Sequence, residues 1–325
     1  MPLAAVRSIF VGPRIGEIMI AIFQKMPMHS DVIGGLIQTC RDLGLPFQVY
    51  NDHDPMTHLP QCGDVEVRPC EDIFLEDFDK MILVTCDDHL PDAWLIKQDQ
   101  KGKLICVDHE RMWRRTHLSM HVGLSPLVSM PYFFPLVDHA WSITSLPTAA
   151  TPKVTMAMTG WVDPPSRDFA EIARFLAQPH TELIFVARAI HPELARIFEI
   201  HRAKVETHLG ISTEHMLAVL DRADAFWCPI HEDSPHATTK ITSMMFNAYN
   251  YNKLLALPQF VNDIYGFEGT LTYSKSVLEL LGNWGEVNFT AVQARAVHYR
   301  EHVIERNKKI LLGLLAGIKV VRPLL

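Results

Sequence analysis

The sequence lacks the cysteine spacings that build disulfide frameworks or zinc sites. Its six cysteines form no CxxC pair, and four of them lie in or beside apolar runs. They therefore indicate buried thiols of a reducing compartment, and neither a disulfide-stapled domain nor a zinc site is expected. The positions are Cys40, Cys62, Cys70, Cys86, Cys106 and Cys228.

Long apolar runs and basic runs are also absent. No apolar run approaches ~18 residues, and the first residues lack the basic segment, apolar core and cleavage site of a secretory signal. We therefore expect a cytoplasmic protein without a transmembrane segment. The net charge of −7, without a basic run, argues against a nucleic-acid or anionic-membrane binder. A few placed donors could still hold a small anionic ligand.

What the chain does contain is an alternation of strands and helices that restarts near its middle. At 325 residues it is long for one hydrophobic core, so two domains are expected. The segment 145–152, SLPTAATP, is rich in Pro, Thr and Ala and is predicted to join them. The predicted fold class is α/β, with two similar domains and a cleft between them.

Short apolar runs in the first half predict a parallel sheet. A helix from Ser30 or Asp31 to about Leu43 separates the first two runs, which gives a βαβ unit. Each run ends in polar residues, so a site is expected along the carboxyl edge. The predicted strands are 18–23, 47–50, 80–85, 103–107 and 141–143.

The second half repeats this pattern and then becomes helical. A less regular segment is expected from 263 to 285, and a helical tail from 287 to 315. The predicted strands are 154–158, 183–187, 204–208, 225–228 and 254–257, and the predicted helices are 168–177, 191–202, 212–222 and about 240–251.

A polar loop in this half, from His231 to Lys240, leads from the end of a strand into a helix N-terminus, where phosphates bind in open α/β sheets. Its hydroxyls, cation and free N–H groups could neutralise a diphosphate without a metal. In a second interpretation, Thr238 or Thr239 simply caps the helix. The candidate diphosphate ligands are His236, Thr238, Thr239 and Lys240, together with Arg167 and Arg188 after the first two strands.

Three pieces of the second half resemble the donor domain of GT-B glycosyltransferases, which have two Rossmann-like domains and use nucleotide sugars. They read VTMAMTGWVDPPSRDFAEIARFL, VETHLGISTEHMLAVLDRADAFWCP and TTKITSMMFNAYNYNKLLALP. The resemblance implies a donor site in the second domain and a UDP- or GDP-linked sugar as donor. It also implies a last helix that crosses back to the first domain. The domains are then 1–148 with about 295–325, and 149–294.

Two positions differ from the retaining members that this resemblance suggests. Many of those enzymes carry two glutamates across the last loop and helix, where this chain has Thr239 and Asn247. This difference favours an inverting reaction, in which a side-chain base takes the proton of the acceptor. In a retaining version that base is unnecessary. The turn His208–Ile211, with Leu209 and Gly210, is where a GT-B protein would contact the nucleotide base.

The resemblance places acceptor and base in the first domain. His29 lies where inverting GT-B enzymes commonly hold their base, and the pKa of a histidine suits that task. Asp54 is an alternative base, and Asp87, Asp88 or Asp108 could orient His29. His109 and Arg111, beside Glu110, could contact the acceptor, a glycan or another hydroxyl compound, or could cap the following helix.

No cofactor or metal is expected beyond the nucleotide-sugar donor. Asp52 and Asp54 match a DXD metal-binding spacing, but this pattern is short and the two-domain organisation favours metal independence. Two other functions fit the same fold: a nucleotide-sugar epimerase or hydrolase, and a non-catalytic nucleotide-sugar-binding protein.

Overall fold

The structure, a computed structural model, describes residues 18–26, 30–53, 62–84, 90–109, 118–128, 132–137, 146–147, 153–239 and 241–317. The chain divides into two compact units. One comprises Met1–Val137 and Val303–Leu325, and the other comprises Asp138–His302. Each unit contains a six-stranded parallel sheet with helical connections, which confirms the predicted α/β class.

The sheet of the first unit has the strand order β3-β2-β1-β4-β5-β6. Its central strands are apolar and buried on both faces, because helices cover a parallel sheet from both sides. Helix α1 turns its apolar residues inwards and keeps Asp31 in its first turn. The elements are β1 Ile20–Phe23, α1 Ser30–Leu43, β2 Phe47–Tyr50, β3 Val67–Arg68, β4 Lys80–Val84, α2 Asp92–Gln100, β5 Leu104–Asp108 and β6 His121–Gly123.

The sheet of the second unit has the order β12-β11-β10-β7-β8-β9. Trp227 on β10 is fully buried, packs on Phe175 at 4.9 Å between ring centroids, and donates its indole N–H to the Tyr273 hydroxyl. The strands are β7 Val154–Thr159, β8 Thr181–Ala187, β9 Val205–Leu209, β10 Ala225–Trp227, β11 Leu254–Pro258 and β12 Thr270–Tyr273. The helices are α3 Phe169–Ala177, α4 Pro192–Ile200, α5 Thr213–Leu220, α6 Pro235–Thr238, α7 Ser243–Asn250, α8 Gln259–Tyr265 and α9 Val277–Gly282.

The last helix, α10 Phe289–Leu315, begins in the second unit and continues into the first from Val303. Within the first unit, the Asn307 side chain binds both the N–H and the C=O of Phe134, at 3.2 and 2.6 Å. Lys308 adds an ion pair with Asp42 at 3.4 Å. The return of the last helix to the first unit was predicted, and the helix runs through Gly313 without a break.

Parts of the sequence-based description were wrong. Residues 263–285 were expected to be less regular, yet they contain β12, α9 and the end of α8. The strands β3 and β6 were missed because they have only two and three residues, too few to show a periodicity. The predicted strand 141–143 and Cys86 lie outside the described residues, whereas the other five cysteines are buried free thiols.

Two glycines with left-handed φ angles allow a matched test of packing in the second unit. A Cβ at Gly269 would lie 2.2 Å from the Ala296 backbone nitrogen, whereas one at Gly266 would meet nothing within 4 Å. We expect Gly266→Ala to cost about 1 kcal/mol, for the φ angle alone. Gly269→Ala should cost more than about 3 kcal/mol because α10 must also shift. Urea unfolding measures both; equal losses would contradict this packing.

Candidate functional site

The strand order of the second sheet creates a crevice at one place on its carboxyl edge. The chain builds β7, β8 and β9 in one direction and then crosses to the other side of β7 to build β10. The connections after β7 and β10 therefore leave the sheet on opposite faces. Such a reversal of strand order is where open α/β sheets bind ligands.

Gly160 forms the floor of this crevice. It follows β7 with a φ of 84°, and its N–H donates to the Val186 carbonyl on β8 at 3.0 Å. A Cβ added to Gly160 would lie 3.8 Å from the Ser243 hydroxyl, at the first residue of α7. The start of α7 therefore faces the backbone of Gly160, with no side chain on the glycine between them.

Three hydrogen bonds join the loop after β7 to the loop after β10. The Ser234 hydroxyl donates to the Ser166 carbonyl at 3.2 Å, and the Asp168 N–H donates to the Pro229 carbonyl at 2.8 Å. His231 Nε2 lies 3.1 Å from the Pro164 carbonyl. Because both loops are fixed to each other, the crevice between β7 and β10 has a defined shape.

Arg167 lies beneath this crevice and is only 1% exposed. Its Nη1 donates to the Ser166 carbonyl and its Nη2 to the Thr242 hydroxyl, both at 2.8 Å, while Nε has no hydrogen-bond partner. These hydrogen-bond partners are neutral, and the Asp163 carboxylate, whose pKa the arginine helps to lower, is a nearby negative charge. A buried arginine stays protonated, so it places a positive charge close to the crevice.

The hydrogen bond from Arg167 to the Thr242 hydroxyl leaves α7 without a side-chain cap. Thr242 is the N-cap residue, but its side chain makes no capping hydrogen bond and instead accepts from Arg167. The first N–H groups of α7 therefore receive no side-chain acceptor, and they carry the positive end of the helix dipole. An anion at the crevice would meet these N–H groups above the charge of Arg167.

The loop 234–239 differs in detail from its prediction. Residues Pro235–Thr238 form the short helix α6, capped by the Ser234 hydroxyl. The hydroxyls of Thr238 and Thr239 donate back to the carbonyls of Ser234 and Pro235, at 3.1 and 3.2 Å. The interpretation of either threonine as the N-cap of the following helix was wrong, because that helix begins only at Ser243.

Among the other predicted ligands of this loop, His236 is buried in α6, and its carbonyl accepts the Tyr265 hydroxyl at 2.9 Å. Lys240 lies outside the described residues. Arg167 is thus the predicted ligand that hydrogen-bonds to the start of α7, whereas His236, Thr238 and Thr239 lie in or directly after α6, and their roles as diphosphate ligands stay predictions.

The predicted base-binding residues lie further along the same edge. Leu209 ends β9 with 46% of its surface exposed, and Gly210 follows with a φ of 62° and binds the Ala187 carbonyl. Arg188 follows β8 with an exposed side chain. These residues stand one and two strands from β7, or roughly 5 and 10 Å. They are therefore separated from the crevice by about the length of a nucleoside.

Two polar atoms on β7 and α7 are buried without a hydrogen-bond partner. They are the Thr159 hydroxyl, at the end of β7, and the Asn247 side-chain oxygen, on the second turn of α7. Both lie next to elements that form the crevice. Unsatisfied buried polar groups are uncommon, and each one calls for a partner such as a ligand or a water molecule.

The first unit supplies fewer described site residues. His29, Asp54, Asp88 and Arg111, with Asp87 and Glu110, lie outside the described ranges, and their roles stay predictions. His109 is half-buried directly after β5. Asp108, at the end of β5, accepts a hydrogen bond from His121 Nδ1 at 2.8 Å. His121 Nε2 lies 3.1 Å from the Leu118 carbonyl, so both ring nitrogens have a polar partner and the side chain is fixed between β5 and the segment before β6.

Asp31, in the first turn of α1, has a property that the sequence did not reveal. Burial raises the pKa of this carboxyl to about 6. Its sequence position indicated only a helix cap, since desolvation depends on what packs around the side chain. A carboxylate that titrates near neutrality at the carboxyl edge of a sheet is a candidate acid or base.

The described part of the chain contains neither a candidate metal site nor a membrane-spanning helix. Within it, no group of three or more His, Cys, Asp and Glu side chains could hold a metal ion. None of the described helices has both the length and the apolar character to cross a membrane.

Solved structures match the whole architecture, although neither a family profile nor a curated protein matches the chain. AviGT4, a glycosyltransferase involved in avilamycin A biosynthesis, is 15% identical with a TM-score of 0.58, covering 92% of this chain and 98% of its own. The chain has the GT-B fold. The catalytic domain of starch synthase IV from Arabidopsis thaliana, bound to ADP and acarbose, matches this GT-B chain with a TM-score of 0.59 at 10% identity. Coverage is 93% of this chain and 99% of that domain.

An alpha-glucosyltransferase in complex with UDP and a 13-mer DNA also matches. Its TM-score is 0.53 at 9% identity, with 93% of this chain and 95% of that one covered. At such identities the likeness shows the GT-B fold alone, and the functional assignment depends on the site.

The raised pKa of Asp31 predicts a pH-dependent stability. The folded pKa of about 6 lies above the ordinary value of 3.8, so the fold favours the protonated form. Stability should therefore fall as pH rises from about 4 to about 6, by at most ~3 kcal/mol. Asp31→Asn removes this loss, so the variant should be more stable than the parent at pH 7.5, and the difference should vanish near pH 4. Urea unfolding at several pH values measures this.

The matched control is Asp92→Asn, which changes an exposed aspartate in the first turn of α2. It measures what replacing an exposed first-turn aspartate by asparagine does to the unfolding free energy. If Asp31→Asn behaves as this control does, the carboxyl is not desolvated.

Proposed function

We propose that this chain is a glycosyltransferase that moves a sugar from a nucleoside-diphosphate donor to an acceptor hydroxyl. The observation that carries this proposal is the uncapped N-terminus of α7, which faces Gly160 close to the buried charge of Arg167. Helix N–H groups with a nearby cation suit a diphosphate, whose charge would otherwise be costly to desolvate.

The charge of Arg167 supports an anionic ligand although its side chain is nearly inaccessible. A buried cation is costly to desolvate, and although the Asp163 carboxylate offsets part of that cost, an anion in the crevice would offset more of it. Since the medium between them has a low dielectric constant, the attraction acts without direct contact. Lys240, three residues before α7, is proposed as the group that reaches the diphosphate directly, together with Thr238 and Thr239.

The proposed reaction is inversion by direct displacement. A base in the first unit takes the proton of the acceptor hydroxyl while the diphosphate leaves from the crevice of the second. His29 and Asp54 are the candidates that the sequence suggested, with Asp88 as an orienting partner, and the raised pKa of Asp31 adds a further one. His109 and Arg111 are proposed to contact the acceptor.

Several finer features remain part of the proposal. They are a UDP- or GDP-linked hexose or pentose as donor, a glycan as acceptor, no metal requirement, no nucleic-acid partner and a cytoplasmic location. One structural match is bound to ADP and another to UDP and DNA, so ADP-linked donors and DNA belong in any binding panel.

Calorimetry with nucleotides tests the first requirement of the proposal, which is that the chain binds a nucleotide. We expect UDP, GDP or ADP, and at least one of their sugars, to bind with micromolar affinity, as is usual for substrates. Failure of every nucleotide to bind would refute the transferase assignment. NMR of the products formed without acceptor then separates the alternatives: slow donor hydrolysis supports a transferase, hydrolysis at a full catalytic rate identifies a hydrolase, an epimerised sugar identifies an epimerase, and an unchanged donor indicates a binding protein.

A pair of variants tests the assignment of roles. Lys240→Ala should raise the dissociation constant of the bound nucleotide roughly tenfold or more, because a charge-assisted hydrogen bond is lost. Lys275→Ala is the matched control, since Lys275 follows β12 on the same edge, three strands from β7 or roughly 14 Å away. Equal affinities in both variants would remove Lys240 from the site.

His29→Ala should leave nucleotide affinity unchanged and slow donor hydrolysis by roughly 10²-fold or more. Full hydrolytic activity in this variant would exclude His29 as the base. Asp31→Asn, assayed in the same way, identifies which of the two side chains titrates in the pH profile of the rate.

A further inference from the structure

Trp161 is the one exposed tryptophan among the four in the described ranges. Its side chain is 60% exposed, whereas Trp227 and Trp284 are buried and Trp94 is partly buried against other aromatic rings. It directly follows Gly160, the floor of the crevice. Its position beside the crevice makes its exposed ring available to a ligand bound there, and covering the ring would remove apolar surface from water.

The indole is held in a fixed orientation. Its Nε1–H donates to Asp163 Oδ2 at 2.8 Å, and Asp163 Oδ1 accepts the Ser166 N–H at 3.1 Å. Burial of Asp163 favours its neutral form, but the hydrogen bonds from Ser166 and Trp161 outweigh this effect and lower the pKa of the carboxyl. The one polar atom of the indole is therefore occupied, and its exposed surface is apolar ring.

The direction in which this loop leaves the sheet indicates which part of a ligand would meet the ring. The residues after Trp161 are joined to the loop after β10, through Asp168 to Pro229 and through Pro164 to His231. They thus lie on the opposite side of β7 from β9, where Leu209 and Gly210 mark the proposed base site. A donor with its base at β9 and its diphosphate at α7 directs its sugar towards β10.

We propose that Trp161 is the platform on which the sugar ring of the donor stacks. The inference depends on the proposed function, and it adds a specificity determinant: the transferred sugar has an apolar face of C–H groups that covers an indole. Pyranoses with several equatorial hydroxyls, such as glucose, have such a face. Aromatic side chains suit this contact because they supply large, rigid apolar area next to polar groups.

The test compares nucleoside diphosphates with the corresponding nucleotide sugars. Dissociation constants of UDP, UDP-glucose, ADP, ADP-glucose, GDP and GDP-mannose are measured by calorimetry for the parent, Trp161→Ala and Trp161→Phe. We expect Trp161→Ala to raise the dissociation constant of the nucleotide sugar about tenfold, as the loss of a stacking ring does. The free diphosphate should change less than about twofold, and Trp161→Phe should recover most of the affinity.

A matched control and a stability check accompany this comparison. Ile200→Ala removes another exposed apolar side chain of the same unit, 77% exposed at the end of α4, and should leave all affinities unchanged. The thermal midpoint of Trp161→Ala should stay close to that of the parent, since an exposed side chain contributes little to stability.

Each alternative result is distinguishable. Equal weakening of diphosphate and nucleotide sugar would overturn the proposal, because the ring would then contact the nucleotide or shape the site. Unchanged affinity for both would also overturn it, as the ring would then lie outside the site. If the parent protein binds no nucleotide at all, the proposed function fails first and this inference fails with it.

Discussion

The site depends most on the hydrogen bond between Arg167 and Thr242. It joins the loop after β7 to the start of α7, and it takes up the threonine oxygen that would otherwise cap the helix. The result is an uncapped helix terminus above a buried cation. Neither feature stabilises a protein by itself, so their coincidence at a reversal of strand order indicates a site shaped for an anion.

Around this contact, each neighbouring strand is followed by different candidate site residues. The turn at Gly160 leaves room beside α7, Arg188 and the Leu209 turn follow β8 and β9, and Trp161 is exposed in the loop after β7. A nucleotide sugar is a linear series of base, diphosphate and sugar. The proposed function assigns these three parts to the carboxyl ends of neighbouring strands in the same order.

Much of the fold was predictable because it depends on local patterns. Buried parallel strands such as Lys80–Val84 are continuous apolar runs. Asp168 and Ser212 are N-cap residues, a residue type that marks the start of a helix in the sequence. The two-residue strand β3 has no such pattern. The segment 263–285 was misjudged because its short elements, such as β12, are stabilised by tertiary packing and not by length or periodicity.

The candidate site was predictable in location but not in detail. A polar loop between a strand and a helix indicated the edge, yet only the structure shows that Ser234 caps α6, that Arg167 is buried, and that Asp31 is desolvated. The exposure of Trp161 could not be read from its neighbours, because an aromatic residue after a buried strand is more often part of the core. Such properties arise from contacts between distant residues.

Hydrogen exchange measured by mass spectrometry, with and without the tightest-binding nucleoside diphosphate, tests the central claim most directly. The claim is that the diphosphate lies at the crevice between β7 and β10. The account predicts slower exchange in peptides covering 160–168 and 239–247, with no change in a peptide covering the edge strand Thr270–Tyr273. Protection confined to other parts of the chain, while the nucleotide is bound, would contradict it.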